Sequence, residues 1–223
     1  MNDLQKQKKM LIENLAANKY IKSESVKKAM LKVKREMFVL SGYQSSAYQD
    51  IPLPIPPVNE DTGTISQPAV HAMILEGLKL KKGEKVVEIG CGSGIMLAYM
   101  KEIVGKRGEV FGVEIQKETY EFARENLKKS GYDKKVKLIL GDGSIGLQQL
   151  APFDKILVSA ASPSLPEPIR KQIKIGGIVV AVIGTSQFNQ ELIQYEKNDD
   201  HTFSKRNLGG VVFVPLRGKY GMK

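Results

Sequence analysis

With 223 residues the chain can core one domain with appendages, and its single cysteine, Cys91, rules out an internal disulfide framework and a multi-cysteine zinc site. Net charge is +10, and the excess is terminal: residues 1–50 carry ten Lys/Arg against five Asp/Glu, residues 197–223 six against two, and the middle eighteen against seventeen. The lysines are dispersed and not interleaved with aromatics, which reads as a solubilising rim and predicts no stable nucleic-acid partner; with no apolar run of about 18 residues, neither a membrane span nor a secretion signal is expected, and the predicted setting is a cytoplasmic monomer.

Residues 3–18 suit a helix with Leu4, Leu11 and Leu15 on one face, and Ser23 caps a second helix whose apolar stripe is Val26, Met30, Val33 and Met37. Beyond Phe38 the periodicity dissolves. Pro52, Pro54, Pro56 and Pro57 hold the backbone extended and exclude a helix or a central strand. A long loop without secondary structure follows as far as Thr64-Ile-Ser-Gln-Pro68, and its apolar content (Ile51, Leu53, Ile55, Ile65) predicts a functional loop over a disordered one. Pro68 suits the first turn of a helix with Val70, Met73, Ile74 and Leu78 on one side, which puts Ser66 close to a helix N-terminus. His71 on that helix has two readings, a packing histidine or an active-site one.

The stretch Lys85-Val-Val-Glu-Ile-Gly-Cys-Gly-Ser-Gly94 is a short buried strand running into a glycine turn, with an apolar helix expected over residues 95–104. Gly90, Gly92 and Gly94 let the chain turn sharply and let a ligand reach main-chain N–H groups, so a nucleotide-type cofactor is expected. The dinucleotide fingerprint needs a third glycine where this chain has Ile95; the G-x-G-x-G spacing favours S-adenosylmethionine, which has no pyrophosphate to cradle. Cys91, inside the turn, reads as a passive small residue.

A strand over residues 109–113 ends at Glu114, a carboxylate 24 positions beyond Gly90 and placed to accept from a ribose hydroxyl. A helix over residues 117–130 closes at Gly131, and a third strand over 136–140 leads to Gly141-Asp142-Gly143, where Asp142 either accepts from an adenine amino group or makes a turn. A fourth strand is expected over 155–159, a short helix over 166–174, a turn at Gly176-Gly177 and a mid-sheet strand over 178–183. In the tail, residues 192–197 and 210–216 read as antiparallel strands at one edge. Strands alternating with helices mean a doubly wound, mostly parallel α/β sheet, with ligands at the strand C-terminal ends where Gly90, Glu114, Asp142 and Ser159 fall.

Several separated stretches together resemble the protein-L-isoaspartate O-methyltransferase family: Lys34-Arg-Glu-Met-Phe-Val39, Ala47-Tyr-Gln-Asp-Ile-Pro-Leu-Pro-Ile55, Thr64-Ile-Ser-Gln-Pro68, the glycine turn, Gly141-Asp-Gly143, Ala151-Pro-Phe-Asp154 and Phe213-Val-Pro-Leu216. The glycine turn is common to methyltransferases of many kinds; the Pro-Leu-Pro-Ile and Thr-Ile-Ser-Gln-Pro elements are specific. The resemblance implies a class I S-adenosylmethionine-dependent methyltransferase, a Rossmann-like sheet with N-terminal helices and an antiparallel C-terminal edge. It implies methylation of the α-carboxylate of L-isoaspartyl residues in damaged proteins. Ser66 matches the active-site serine, while Glu88, Gly90, Gly92, Gly94, Glu114, Ile115, Asp142 and Gly143 fall on the cofactor side. Ile55, Thr64, Ile65, Ser66, His71, Val214, Pro215 and Leu216 fall on the substrate side, and no metal is implied. One departure stands out: residues 56–63 make a longer connection than the family pattern, with Gly63 where a glutamine is usual.

The expected organisation is one domain, with N-terminal helices and substrate loop over 1–68, a cofactor-binding core over 69–184 and a β edge over 185–223. Two other functions stay open on the residues: a methyltransferase for another acceptor, a peptide aspartate or RNA, and a cofactor-binding regulator. RNA is disfavoured by the lack of an Asn/Asp-Pro-Pro-Tyr/Phe motif, the regulator by the presence of Ser66.

Overall fold

The computed structural model describes residues 3–58, 63–186 and 188–222. Helix α1 (Asp3–Ala17) buries Leu11, Ile12 and Leu15, and α2 (Glu24–Lys32) is capped by Ser23, whose Oγ accepts from Val26 N at 3.4 Å. Glu76 fastens this N-terminal pair: its Oε1 accepts from Lys22 N at 2.8 Å and from Ser23 N at 2.7 Å. Helix α2 is shorter than the stripe suggested, because Val33 leaves it in extended conformation and Arg35–Met37 form a 3-10 turn; Val33 stays buried while Met37 is half-buried.

The proline segment is not wholly without secondary structure. Strands β1 (Leu53–Pro54) and β2 (Thr64–Ile65) pair antiparallel, Leu53 opposite Ile65, since both inward residues need the same apolar cover. Within the connection of residues 56–63, residues 59–62 lie outside the described residues. Helix α3 (Pro68–Leu78) has Pro68 in its first turn and Asp50 at its N-terminus, with Asp50 Oδ1 accepting from Ala69 N at 2.8 Å. Its buried face is turned from the expected one: Ala69, His71, Ala72, Ile74, Leu75 and Leu78 go inside, and Val70 and Met73 only half-way.

Seven strands form the main sheet in the order β5-β4-β3-β6-β7-β8-β9. They are β3 (Lys85–Ile89), β4 (Glu109–Glu114), β5 (Lys137–Leu140), β6 (Phe153–Ser162), β7 (Ile173–Ile183), β8 (Glu191–Lys197) and β9 (Phe203–Gly210), with α4 (Ile95–Val104), α5 (Lys117–Lys129) and α6 (Glu167–Gln172) as crossovers. Pairings from β5 to β7 are parallel, and β8 and β9 close the edge antiparallel. Alternation splits the core: Val86, Leu157, Val180 and Leu192 join the side of α1 to α5, whereas Val87, Phe111, Phe153, Val158 and Val179 pack with Leu165 and Ile169 around α6.

Three expectations for the second half need correction. Strand β7 begins at Ile173, which pairs with Phe153, so α6 stops at Gln172. Gly176-Gly177 is therefore a bulge inside β7, made possible by Gly176 at φ +74°, and not a turn before it. The last strand is residues 203–210 and not 210–216: the turn after β8 sets Lys197 opposite Phe203, which uses up the polar run Ser204-Lys-Arg-Asn207 in the ladder. Residues 211–216 then leave the edge and cross toward the end of β6, where Ala161 N donates to Val214 O at 2.9 Å and Leu216 N to Ala161 O at 2.7 Å.

Candidate active site

A cavity of about 440 Å³ opens at the C-terminal ends of the parallel strands. Its floor is the turn after β3, where Gly90, Gly92 and Gly94 all have φ between +52° and +82°, a region side-chain-bearing residues rarely adopt. The turn is tied to the next strand by Gly90 N and Cys91 N, which donate to Val113 O at 2.9 and 3.1 Å, and by Gly92 N, which donates to Glu114 Oε2 at 3.0 Å. Glu114 also accepts on Oε1 from Ile115 N at 2.9 Å and Gln116 N at 3.1 Å.

One wall is a bulge in β6. The register steps from Val158 opposite Ala181 to Ala161 opposite Val182, leaving Ser159 and Ala160 as extra residues turned to the cavity. Ser159 Oγ lies 3.0 Å from Glu88 Oε1 and 2.8 Å from Gly90 O. The front is Ile55, Gly63 and Thr64 from the β1–β2 ladder, and the roof is residues 212–217. Thr119 Oγ1 donates to Pro56 O at 2.7 Å, joining α5 to the front loop.

Of the residues singled out in the sequence, the cavity brings together Ile55, Thr64, Gly90, Gly92, Glu114, Ile115, Gly143, Val214, Pro215 and Leu216. Ser66, Ile65, His71, Glu88, Gly94 and Asp142 stand outside its lining. Gly94 is the left-handed N-cap of α4. Asp142 is engaged in a turn and a strap: Oδ1 accepts from Ser144 N at 2.8 Å and Oδ2 from Lys219 N at 2.8 Å, which draws the segment after the roof down onto the loop beyond β5. Ser66 is half-buried directly before α3, and its carbonyl accepts from Arg35 Nη2 at 3.0 Å. His71 is buried behind it, with Nδ1 3.2 Å from Arg35 Nη1 and its ring edge-on to Tyr99 at 5.9 Å between centroids.

The wall residues Gln116, Thr119, Ala160 and Val212 escaped the sequence reading, whereas Ser159, expected at the end of a parallel strand, and Phe213, in the Phe213-Val-Pro-Leu216 stretch, line the cavity. Arg35 was also missed, since an arginine in a lysine-rich segment reads as surface, yet it is 1% exposed.

The electrostatics are set by burial. Burial raises the Glu88 carboxyl to about 8, helped by the nearby Glu114 charge and opposed by the Ser159 hydrogen bond. His71 is held well below its ordinary range by burial and then by the Arg35 charge, so it is neutral at pH 7. Burial, followed by the charges of Glu114 and Glu88, pushes the Cys91 thiol well up, which removes the reactive thiolate.

Two features test whether this site suits S-adenosylmethionine. Among the described residues, Glu88 Oε2 is buried without a hydrogen-bond partner, and a cationic ammonium is the kind of donor such an atom lacks. Glu114 offers about four lone pairs, of which backbone N–H groups take three, leaving one on Oε2 for a hydroxyl. The residues therefore fit the cofactor. Among the described residues no group of three or more His, Cys, Asp and Glu gathers as a metal site, and no helix is long and apolar enough to cross a membrane.

Known proteins align with this chain almost end to end. A relative from Methanothermobacter thermautotrophicus, named protein-L-isoaspartate O-methyltransferase, is 43% identical over 217 residues, covering 97% of this chain and 98% of its own. One of the same name from Thermococcus sibiricus is 42% identical over 223 residues, covering 100% and 98%. Among solved structures, a protein-L-isoaspartate O-methyltransferase superposes with a TM-score of 0.87 at 30% identity over 96% of this chain and 67% of that one. A structure described as the Plasmodium falciparum counterpart, in complex with S-adenosyl-L-homocysteine, superposes with a TM-score of 0.82 at 27% identity over 94% and 98%. The family model described as protein-L-isoaspartate(D-aspartate) O-methyltransferase matches residues 6–221, and the chain belongs to that family.

Proposed function

We propose that this protein repairs damaged proteins by transferring a methyl group from S-adenosylmethionine to the α-carboxylate of L-isoaspartyl residues, with Ser66 as the residue that holds the acceptor. The observation that carries this reading is one cavity that joins the glycine turn and Glu114 on one side to the β1–β2 ladder and residues 212–217 on the other. Glu88, Gly90, Gly92, Glu114 and Ile115 serve the cofactor, with Asp142 and Gly143 shaping the loop at its far end. Ile55, Thr64, Ile65, Val214, Pro215 and Leu216 frame the acceptor, and His71 supports Ser66 from behind.

When bound, S-adenosylmethionine supplies an electrophilic methyl group on its sulfonium. An acceptor carboxyl with a pKa near ~3.9 is already ionised at neutral pH, so the chain needs no general base. Its task is to strip water from the carboxylate and align it. Ser66 suits this: its hydroxyl, just before the N-terminus of α3, orients an oxyanion without the full positive charge that would blunt its nucleophilicity. The neutral His71 keeps a second cation away from the same place.

The test offers labelled S-adenosylmethionine with an isoaspartyl peptide, its aspartyl twin and bulk RNA. Base-labile label on the isoaspartyl peptide alone is expected. In Ser66→Ala, turnover should fall about tenfold or more while cofactor affinity stays within twofold, the size expected for one lost hydrogen bond to a charged group. Label on the aspartyl twin or on RNA overturns the substrate, and an unchanged Ser66→Ala rate removes the serine from the reaction.

A further inference from the structure

Arg35 is a buried cation that reaches the acceptor side through Ser66 and His71. Its partners are the Ser66 carbonyl, His71 Nδ1 and the Tyr99 hydroxyl, none of them an anion. The carboxylate acting on it is that of Asp50, whose Oδ1 is already bonded at the N-terminus of α3. Nε has no partner at all among the described residues. A guanidinium so placed costs stability, because burial of a charge is offset only by close opposite charge and full hydrogen bonding. A neutral residue of the same volume would serve packing better, so packing does not explain it.

The contacts say what else it does. An arginine only donates, so His71 must accept on Nδ1 and carry its proton on Nε2. The same fork holds the carbonyl of the peptide unit that joins Ser66 to Gln67, the residue that caps α3. A cation on that carbonyl polarises the peptide and strengthens the N–H at its other end as a donor. We propose that Arg35 is a positioning residue for acceptor recognition: it locks Ser66 and the His71 tautomer, and it sets a positive charge one peptide unit behind the place where the substrate carboxylate docks. That arrangement attracts a carboxylate electrostatically without pairing with it, so the nucleophile keeps its reactivity. The inference rests on the acceptor site proposed above.

The test compares Arg35→Lys and Arg35→Met with the intact enzyme. KM for an isoaspartyl peptide should rise by about ten- to a hundredfold in Arg35→Met, the loss expected for a hydrogen bond to a charged group, and less in Arg35→Lys, which keeps the charge without the fork. The dissociation constant for S-adenosylhomocysteine should stay within twofold in both. In the intact enzyme, nitrogen-15 spectra should show His71 as the neutral Nε2–H tautomer, a measurement that needs no variant. A folded Arg35→Met enzyme with unchanged KM overturns the proposal, as does a His71 protonated on Nδ1. If Ser66→Ala is slow while the Arg35 variants bind acceptor normally, the positioning role fails alone; if Ser66→Ala is normal while Arg35→Lys raises KM, the serine assignment fails and the arginine role stands.

Discussion

Replacing Glu88 by glutamine should stabilise the ligand-free protein and weaken its hold on the cofactor. Glu88 lies 2% exposed in β3, an interior strand of the sheet, and burial lifts its carboxyl from an ordinary 4.5 to about 8. Below about pH 4.5 both folded and unfolded chains hold the proton, and the carboxyl makes no difference to stability through titration. Between there and about pH 8 the unfolded chain releases the proton while the folded one keeps it, so stability falls by ~1.4 kcal/mol for each pH unit. Above about pH 8 the loss levels off near 5 kcal/mol, a large part of the ~5–15 kcal/mol typical of a domain. Glutamine does not titrate. Urea unfolding of both proteins without ligand should therefore show the advantage of Glu88→Gln growing by about 3 to 4 kcal/mol from pH 5 to pH 8. The same variant loses the acidic partner for an ammonium, so S-adenosylhomocysteine should bind it more weakly, with the deficit largest at alkaline pH where Glu88 is ionised. Stability differences that stay parallel across that range would refute the account of Glu88 as a carboxyl kept neutral by burial.

Glu114→Ala removes the acceptor for three backbone N–H groups and the remaining lone pair facing the cavity, so cofactor affinity should drop by about a hundredfold in calorimetry with a smaller effect on acceptor KM; unchanged affinity would sink the ribose assignment. Gly218→Ala should release the strap, since φ is +111° and an added Cβ would collide with the Asp142 carboxylate; a loss of about 1–3 kcal/mol is expected, with faster amide exchange at Lys219 and Tyr220. Protection left as in the intact protein would show that the strap does not depend on that conformation.

What could be read from the chain beforehand followed burial. Strands β3 and β4 and helix α4 were legible because Val86-Val87, Val110 to Val113 and residues 95–100 form apolar runs, and their neighbours on both faces demand it. The end of the sheet was not. Strand β9 is an edge whose residues 204–207 are polar and exposed, so it carries no hydrophobic signature, whereas Val211 to Leu216 look like a strand yet Val211 joins the core and residues 212–216 roof the cavity. The site divided in the same way. Gly90, Gly92 and Glu114 stood out because the backbone geometry needs them, but the Ser159–Ala160 bulge arises from a register step between strands that local pattern does not contain. Arg35 was invisible for the opposite reason, a charged side chain whose burial is decided by tertiary partners from α3 and α4.

The cavity roof has a consequence for the order in which the protein becomes competent. Its floor is complete once β3 to β6 have paired, but residues 212–217 emerge from the ribosome about fifty positions after Ser162, the last residue of β6. A nascent chain stalled before them can build the parallel half of the sheet and still have a trough open to water where the cavity will be. Enclosure of the cavity therefore waits until residues 212–217 have been laid across the end of β6.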